Sequence, residues 1–95
     1  MNKQELAKYI PLQMRIARKL GIDFIRTIEL SPLKNKKYRV FLNDGSHVDY
    51  GHIDYQDYLQ HKNETRRERF MSRWINNPNI NNIHSPVFYI VRLTW

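Results

Sequence analysis

The chain has 95 residues and a formal net charge of +7 at neutral pH. This length fits one domain and is too short for two independent hydrophobic cores. The apolar content of 41%, with 13% aromatic residues, excludes a wholly disordered chain. The absence of cysteine excludes disulfide bonds, thiolate zinc sites and thiol nucleophiles.

The charge is segregated along the chain. Residues 1–41 carry ten Lys and Arg against three Asp and Glu, residues 42–61 carry four acidic residues and no Lys or Arg, and residues 62–95 carry six basic against two acidic residues. A basic surface of this kind attracts polyanions such as nucleic acid or an acidic protein face. A basic surface that serves only solubility is the plainer alternative.

No stretch approaches the roughly 20 apolar residues of a membrane span, and the N-terminus lacks the apolar run of a signal peptide. We therefore expect no membrane span and an intracellular protein. We predict a single domain over 1–95 with four segments. They are a helical segment at 1–21, a sheet at 22–50, a helical segment at 55–76, and an Asn-rich loop with an apolar segment at 77–95.

The first segment contains a helix that begins at Pro11, where proline is tolerated, and ends before Gly21. Because Pro11 disfavours helix at the preceding residue, we expect a break or kink between this helix and a short helix at 2–9. Its predicted apolar stripe is Met14, Ala17 and Leu20.

Alternating residues at 23–30 and 37–42 predict two strands, and the turn sequence Asn43, Asp44, Gly45 leads into a third at 46–50. A three-stranded antiparallel sheet needs a helix on one face to be stable. The predicted fold is therefore α+β: a small three-stranded antiparallel sheet with a preceding N-terminal helix and a basic helix packed on it.

The basic helix begins after Asn63, which can cap it, and runs through Asn76. Phe70 and Trp74 form an i,i+4 aromatic pair that we interpret as a core anchor in preference to a base-stacking platform. Arginine forms bidentate contacts with phosphate or carboxylate better than lysine. The predicted polyanion or partner contacts are Arg66, Arg67, Arg69 and Arg73 on this helix, helped by Lys36, Lys37 and Arg39.

The C-terminal segment allows two interpretations. Ser85 and Pro86 suit a helix cap and first turn, whereas the VFYIV that follows is rich in β-branched and aromatic residues. We favour the helix. In either case this segment is too apolar to lie in water, so it packs on the core or on another chain through Phe88, Tyr89, Leu93 and Trp95.

Catalysis is not expected. Asp54 and Asp57 form a carboxylate pair at spacing three, for which capping and surface roles are commoner than acid–base work. The four histidines lack the short spacings of a zinc site, and the HKN run at 61–63 has only part of a metal-nuclease motif. The three glycines form no phosphate-binding loop. We therefore predict no enzyme activity, no metal and no cofactor.

Several stretches form a pattern along the second part of the chain: KKYRV, Gly45, HVDYG, YQDYLQHKN, RRERFMSRW, a Ser-Pro start and a terminal LTW. This pattern resembles that of a group of small uncharacterised proteins encoded by large DNA viruses of eukaryotes. The resemblance covers roughly residues 34–95, and this chain departs from the family pattern at Tyr50, Asn63, Trp74 and Pro86. It implies a viral context and carries over no catalytic residue.

Three functions fit these features. The resemblance favours a virion component, a minor capsid or internal protein whose charged faces and apolar tail contact larger subunits. Such a protein would lie in the virion or in the host cell, in the cytoplasm or a viral factory. The alternative is a protein that binds DNA or RNA phosphates through the arginine-rich helix without reading bases. A small nuclease is the third.

Overall fold

The computed structural model describes residues 2–95 and confirms the predicted α+β class. Its sheet is antiparallel with strand order β1-β2-β3. In chain order, the elements are a 3-10 helix at Lys3–Tyr9, α1 at Ile10–Lys19, β1 at Ile25–Leu30, β2 at Lys36–Leu42, β3 at His47–His52, α2 at Tyr58–His61, α3 at Glu64–Trp74, α4 at Pro86–Tyr89 and a π-helical turn at Ile90–Thr94.

The helical N-terminus continues without a gap through the place where we expected a break or kink. Pro11 lies in the first turn of α1, and the residues before it form a 3-10 helix that leads directly into α1. Pro11 therefore marks a change of helix type. The predicted apolar stripe is confirmed at Ala17, which is buried, and at Met14, which packs against the core, but it is wrong at Leu20, which is 56% exposed. Gln13 is buried because its Oε1 accepts a hydrogen bond of 2.6 Å from the Tyr50 hydroxyl.

The predicted hairpin is confirmed. β2 is the central strand, and it pairs with β3 so that Tyr38 lies opposite Tyr50 and Arg39 opposite Asp49. The turn between them places Gly45 at a φ of +89°, a conformation that glycine adopts at little cost. Residues that alternate along β2 and β3 point into one core, which gives the sheet a buried face and an open face.

The core lies between the sheet, the N-terminal helices and the C-terminal segment. Its buried members are Leu6, Ala17, Ile28, Tyr38, Val40, Leu42, Val48, Tyr50, Phe88, Tyr89 and Leu93. The Tyr50 ring packs against the rings of Tyr38 and Tyr89, with centroids 5.5 Å apart in each pair. The C-terminal segment is helical, as favoured, and its apolar side chains pack on this chain's own core.

The basic helix α3 lies against α2 and Trp95 and has no buried residue. Phe70 and Trp74 are only half-buried, so the interpretation of this pair as a core anchor is wrong. The physical reason is that α1 and the C-terminal segment already cover the apolar face of the sheet. None of the helices described between residues 2 and 95 is long and apolar enough to cross a membrane.

Candidate functional site

Local capping fixes the start of α3. The Asn63 side chain accepts a hydrogen bond of 3.1 Å from the Arg66 backbone N–H, as the sequence predicted. Glu64 lies in the first turn, where an acidic side chain is favourable, and it accepts a hydrogen bond from the Tyr58 hydroxyl. These contacts set the rotation of the helix and thereby the direction of its arginine side chains.

Arg66, Arg69 and Arg73 line one groove of about 560 Å³, which we call the arginine groove. Its other lining residues are Lys37, Gly51, His52, Tyr55, Gln56, Asp57, Phe70, Trp74, Ile90, Thr94 and Trp95. The three arginines are exposed, and within residues 2–95 none of them forms an ion pair. Their spacing spans about 10 Å of helix axis, so the groove has a line of three unneutralised guanidinium groups.

Four aromatic residues also line the groove: Tyr55, Phe70, Trp74 and Trp95. The rings of Phe70 and Trp95 are parallel, with centroids 4.0 Å apart and 3° between their planes. Trp74 lies next to this stack, 5.9 Å from Phe70, and is half-buried. Tyr55 is 69% exposed and meets the His52 ring edge-on at 5.1 Å. Two aromatic side chains, Trp74 and Tyr55, are therefore accessible to a ligand in the groove.

A buried ion pair lies at the base of the groove. The Lys37 Nζ donates to Asp57 Oδ2 at 3.1 Å and to Gln60 Oε1 at 2.6 Å, and the Lys37 and Asp57 side chains are 2% and 4% exposed. Desolvation lowers the pKa of Lys37 and raises the pKa of Asp57, because burial disfavours both charges and the attraction between them offsets this only in part. The pair contributes little net charge to the groove.

The packing of Gly51 allows Lys37 to reach this position. Gly51 has a φ of +81°, and a Cβ there would lie 3.2 Å from the Lys37 side chain. The expectation that Lys37 is an exposed contact for a polyanion is therefore wrong. Its aliphatic stem lies over the glycine, and its ammonium is neutralised by a carboxylate 20 positions along the chain.

The other predicted contact residues do not line the groove. Arg39 donates Nε and Nη2 to the two carboxylate oxygens of Asp49, each at 3.0 Å, which neutralises it. Arg67 donates Nε to the Trp95 main-chain oxygen at 2.7 Å, and its guanidinium lies over the Tyr58 ring. Lys36 is half-buried at the start of β2. Only Arg66, Arg69 and Arg73 are brought together as a cationic surface.

Tyr55 and Trp95 are groove residues that the sequence did not identify. Trp95 lies 21 positions from Trp74, and no local pattern connects them. The exposed position of Tyr55 in the connection after β3 is likewise decided by tertiary structure. In the part of the chain that the structure describes, no group of three His, Asp or Glu side chains is arranged to hold a metal. Asp57 occupies the N-cap of α2, and Asp54 is exposed.

Residues 27–74 match the model of a family of unknown function, DUF5754. The chain belongs to this family. The DUF5754 match runs from within β1 to the last residue of α3, so it includes Arg66, Arg69, Arg73 and Trp74. Trp95 and α1 lie outside it. No curated protein and no solved structure matches the chain.

Proposed function

We propose that this protein binds nucleic acid through the arginine groove, by phosphate contacts that do not read base sequence. The proposal rests on one observation: Arg66, Arg69 and Arg73 line the same groove, and within residues 2–95 no carboxylate forms an ion pair with any of them. Three like charges held together repel one another, and a polyanion relieves that repulsion.

The guanidinium groups suit phosphate in particular. Each presents a planar fork of donors that can bind a phosphate in bidentate geometry, and all three side chains are exposed and unpaired. Contacts to phosphate position a protein on nucleic acid but carry no sequence information. The groove therefore supports binding with steep salt dependence and little dependence on base sequence.

Two triple variants of equal charge test the proposal. The groove variant replaces Arg66, Arg69 and Arg73 by Gln, and the α1 control replaces Arg15, Arg18 and Lys19 by Gln. All six side chains are exposed, so both variants should melt close to the parent. We expect the groove variant to bind oligonucleotides about tenfold or more weakly at low salt and the α1 control to bind almost as the parent does. Equal losses in the two variants would show that net charge alone attracts nucleic acid.

A virion role, which the resemblance to viral proteins implies, remains a prediction. The apolar tail that we expected to wedge between larger subunits packs on this chain's own core through Val87, Phe88 and Leu93. A larger subunit would therefore have to contact another surface. The number of copies in purified particles tests this prediction, because a structural component is present in stoichiometric amounts and an intracellular nucleic-acid-binding protein is absent.

A further inference from the structure

We infer that the arginine groove binds a single strand in preference to a duplex, with an unstacked base lying on the accessible rings of Trp74 and Tyr55. This inference rests on the proposed function and names its substrate class. The phosphate contacts of Arg66, Arg69 and Arg73 supply attraction for any nucleic acid. The aromatic rings decide which form of nucleic acid fits.

Two accessible aromatic rings from different parts of the chain line the same groove. Phe70 and Trp95 stack face to face, so each covers a face of the other. Trp74 is the last residue of α3 and follows Arg73, and Tyr55 lies in the connection between β3 and α2. Scattered exposed apolar residues are normal in soluble proteins, but aromatic rings beside a line of cations form the surface on which single strands bind.

A duplex cannot stack on these rings. Its bases are paired and stacked, so their faces are not available to Trp74 or Tyr55.

DNA and RNA share the chemistry that this surface recognises, a phosphate chain with flat bases. The experiment therefore uses an oligothymidylate, an oligouridylate and a DNA duplex, each about ten nucleotides long. The two tryptophans of the chain, Trp74 and Trp95, both line the groove, so the intrinsic fluorescence reports directly on a ligand there. We expect both single strands to quench this fluorescence and to bind more tightly than the duplex.

Variants at the rings separate stacking from charge. Trp74→Leu and Tyr55→Ser should each lower the affinity for a single strand about 5- to 150-fold, the effect of losing one base–aromatic stack. Trp74→Phe keeps a ring and should retain most of the affinity. Ile75→Ser is the matched control, because Ile75 follows Trp74, is 53% exposed and does not line the groove. The Tyr55→Ser and Ile75→Ser proteins retain both tryptophans, so their affinities can be measured by the same fluorescence titration with oligonucleotide as the parent.

The outcomes distinguish the inference from the proposed function. If the duplex binds as tightly as the single strands and Trp74→Leu weakens both equally, the single-strand inference is wrong while nucleic-acid binding stands. If every oligonucleotide binds the groove variant as tightly as it binds the parent protein, the proposed function is wrong. This result is expected if the natural partner of the groove is an acidic protein. Similar affinity for the two single strands supports recognition by phosphate and base face, which DNA and RNA share.

Discussion

The ring of Phe70 on α3 lies parallel to the indole of Trp95, with 4.0 Å between centroids and 3° between planes. The two residues are 25 positions apart in the chain. Trp95 also meets the His61 ring edge-on at 5.0 Å, and its main-chain oxygen accepts the hydrogen bond from Arg67. Because α3 has no buried residue, these contacts with Trp95 hold the arginine-bearing helix in place beside the sheet.

Phe70→Leu should loosen α3 more than it destabilises the whole protein. The substitution keeps an apolar side chain but removes the stack on Trp95, which contributes about 0.5–1.5 kcal/mol beyond the area it buries. We expect amide hydrogen exchange to become faster in Glu64–Trp74 while the strands stay protected. Phe70→Tyr keeps the ring and should leave the exchange unchanged. Unchanged exchange in Phe70→Leu would show that other contacts position the helix.

Local signals in the sequence predicted the hairpin and the ends of α3. Asn43, Asp44 and Gly45 form the turn because their preferences act over three residues, and Asn63 caps α3 through a bond to a backbone group three positions away. The helical C-terminal segment follows for the same reason, since Pro86 lies in the first turn of α4. The stripe Arg66, Arg69 and Arg73 was predictable from helical spacing alone.

Long-range contacts decided what the sequence did not predict. Strand alternation predicts that Lys37 is exposed, but its Nζ is buried and donates hydrogen bonds to Asp57 and Gln60. No local sequence pattern connects Lys37 with either partner. The burial of Gln13, a polar residue, was not predicted, and its side-chain oxygen accepts a hydrogen bond of 2.6 Å from the Tyr50 hydroxyl, 37 positions away. The groove itself depends on Trp95, which no short-range signal places near α3.

Gly51→Ala should destabilise the fold more than Gly45→Ala. Both glycines have a positive φ, at +81° and +89°, so alanine costs about 1–2 kcal/mol of backbone strain at either position. At Gly45 nothing lies within 4 Å of the added Cβ, whereas at Gly51 the Lys37 side chain lies 3.2 Å away. Lys37 is held by its partners, so we expect a further cost of about 1 kcal/mol in urea unfolding. Equal losses at the two positions would show that Lys37 moves freely.

Lys37→Met should destabilise the protein at neutral pH, by about 3 kcal/mol, because it leaves the buried Asp57 carboxylate without its partner. The loss should shrink on acidification. Without Lys37 the pKa of Asp57 rises further above its ordinary value of 3.8, since the attraction that lowered it is gone. Between 3.8 and that raised pKa the folded state binds more protons than the unfolded state, so stability increases as the pH falls.

Urea unfolding of Lys37→Met and the parent at several pH values from neutrality down to about 4 measures this dependence. Lys36→Met is the control, because it removes the same charge from a neighbouring residue that lacks the buried partner. The stability difference between Lys36→Met and the parent should not vary with pH in this range. If the stability difference between Lys37→Met and the parent does not change with pH, the Asp57 carboxyl of the variant is already protonated at neutral pH or is hydrated.

The slope of log affinity against log salt should report how many arginine side chains contact phosphate. For a single strand the slope of log affinity against log salt is about −0.7 per phosphate contact, so loss of Arg66, Arg69 and Arg73 should make the slope shallower by about 2. The α1 control, Arg15, Arg18 and Lys19 replaced by Gln, has the same charge as the groove variant and should keep the parent slope. Affinities for the oligothymidylate between about 50 and 200 mM salt give the three slopes. Because the two variants differ only in where three charges were removed, a slope that falls equally in both would place the phosphates outside the groove, along the basic surface as a whole.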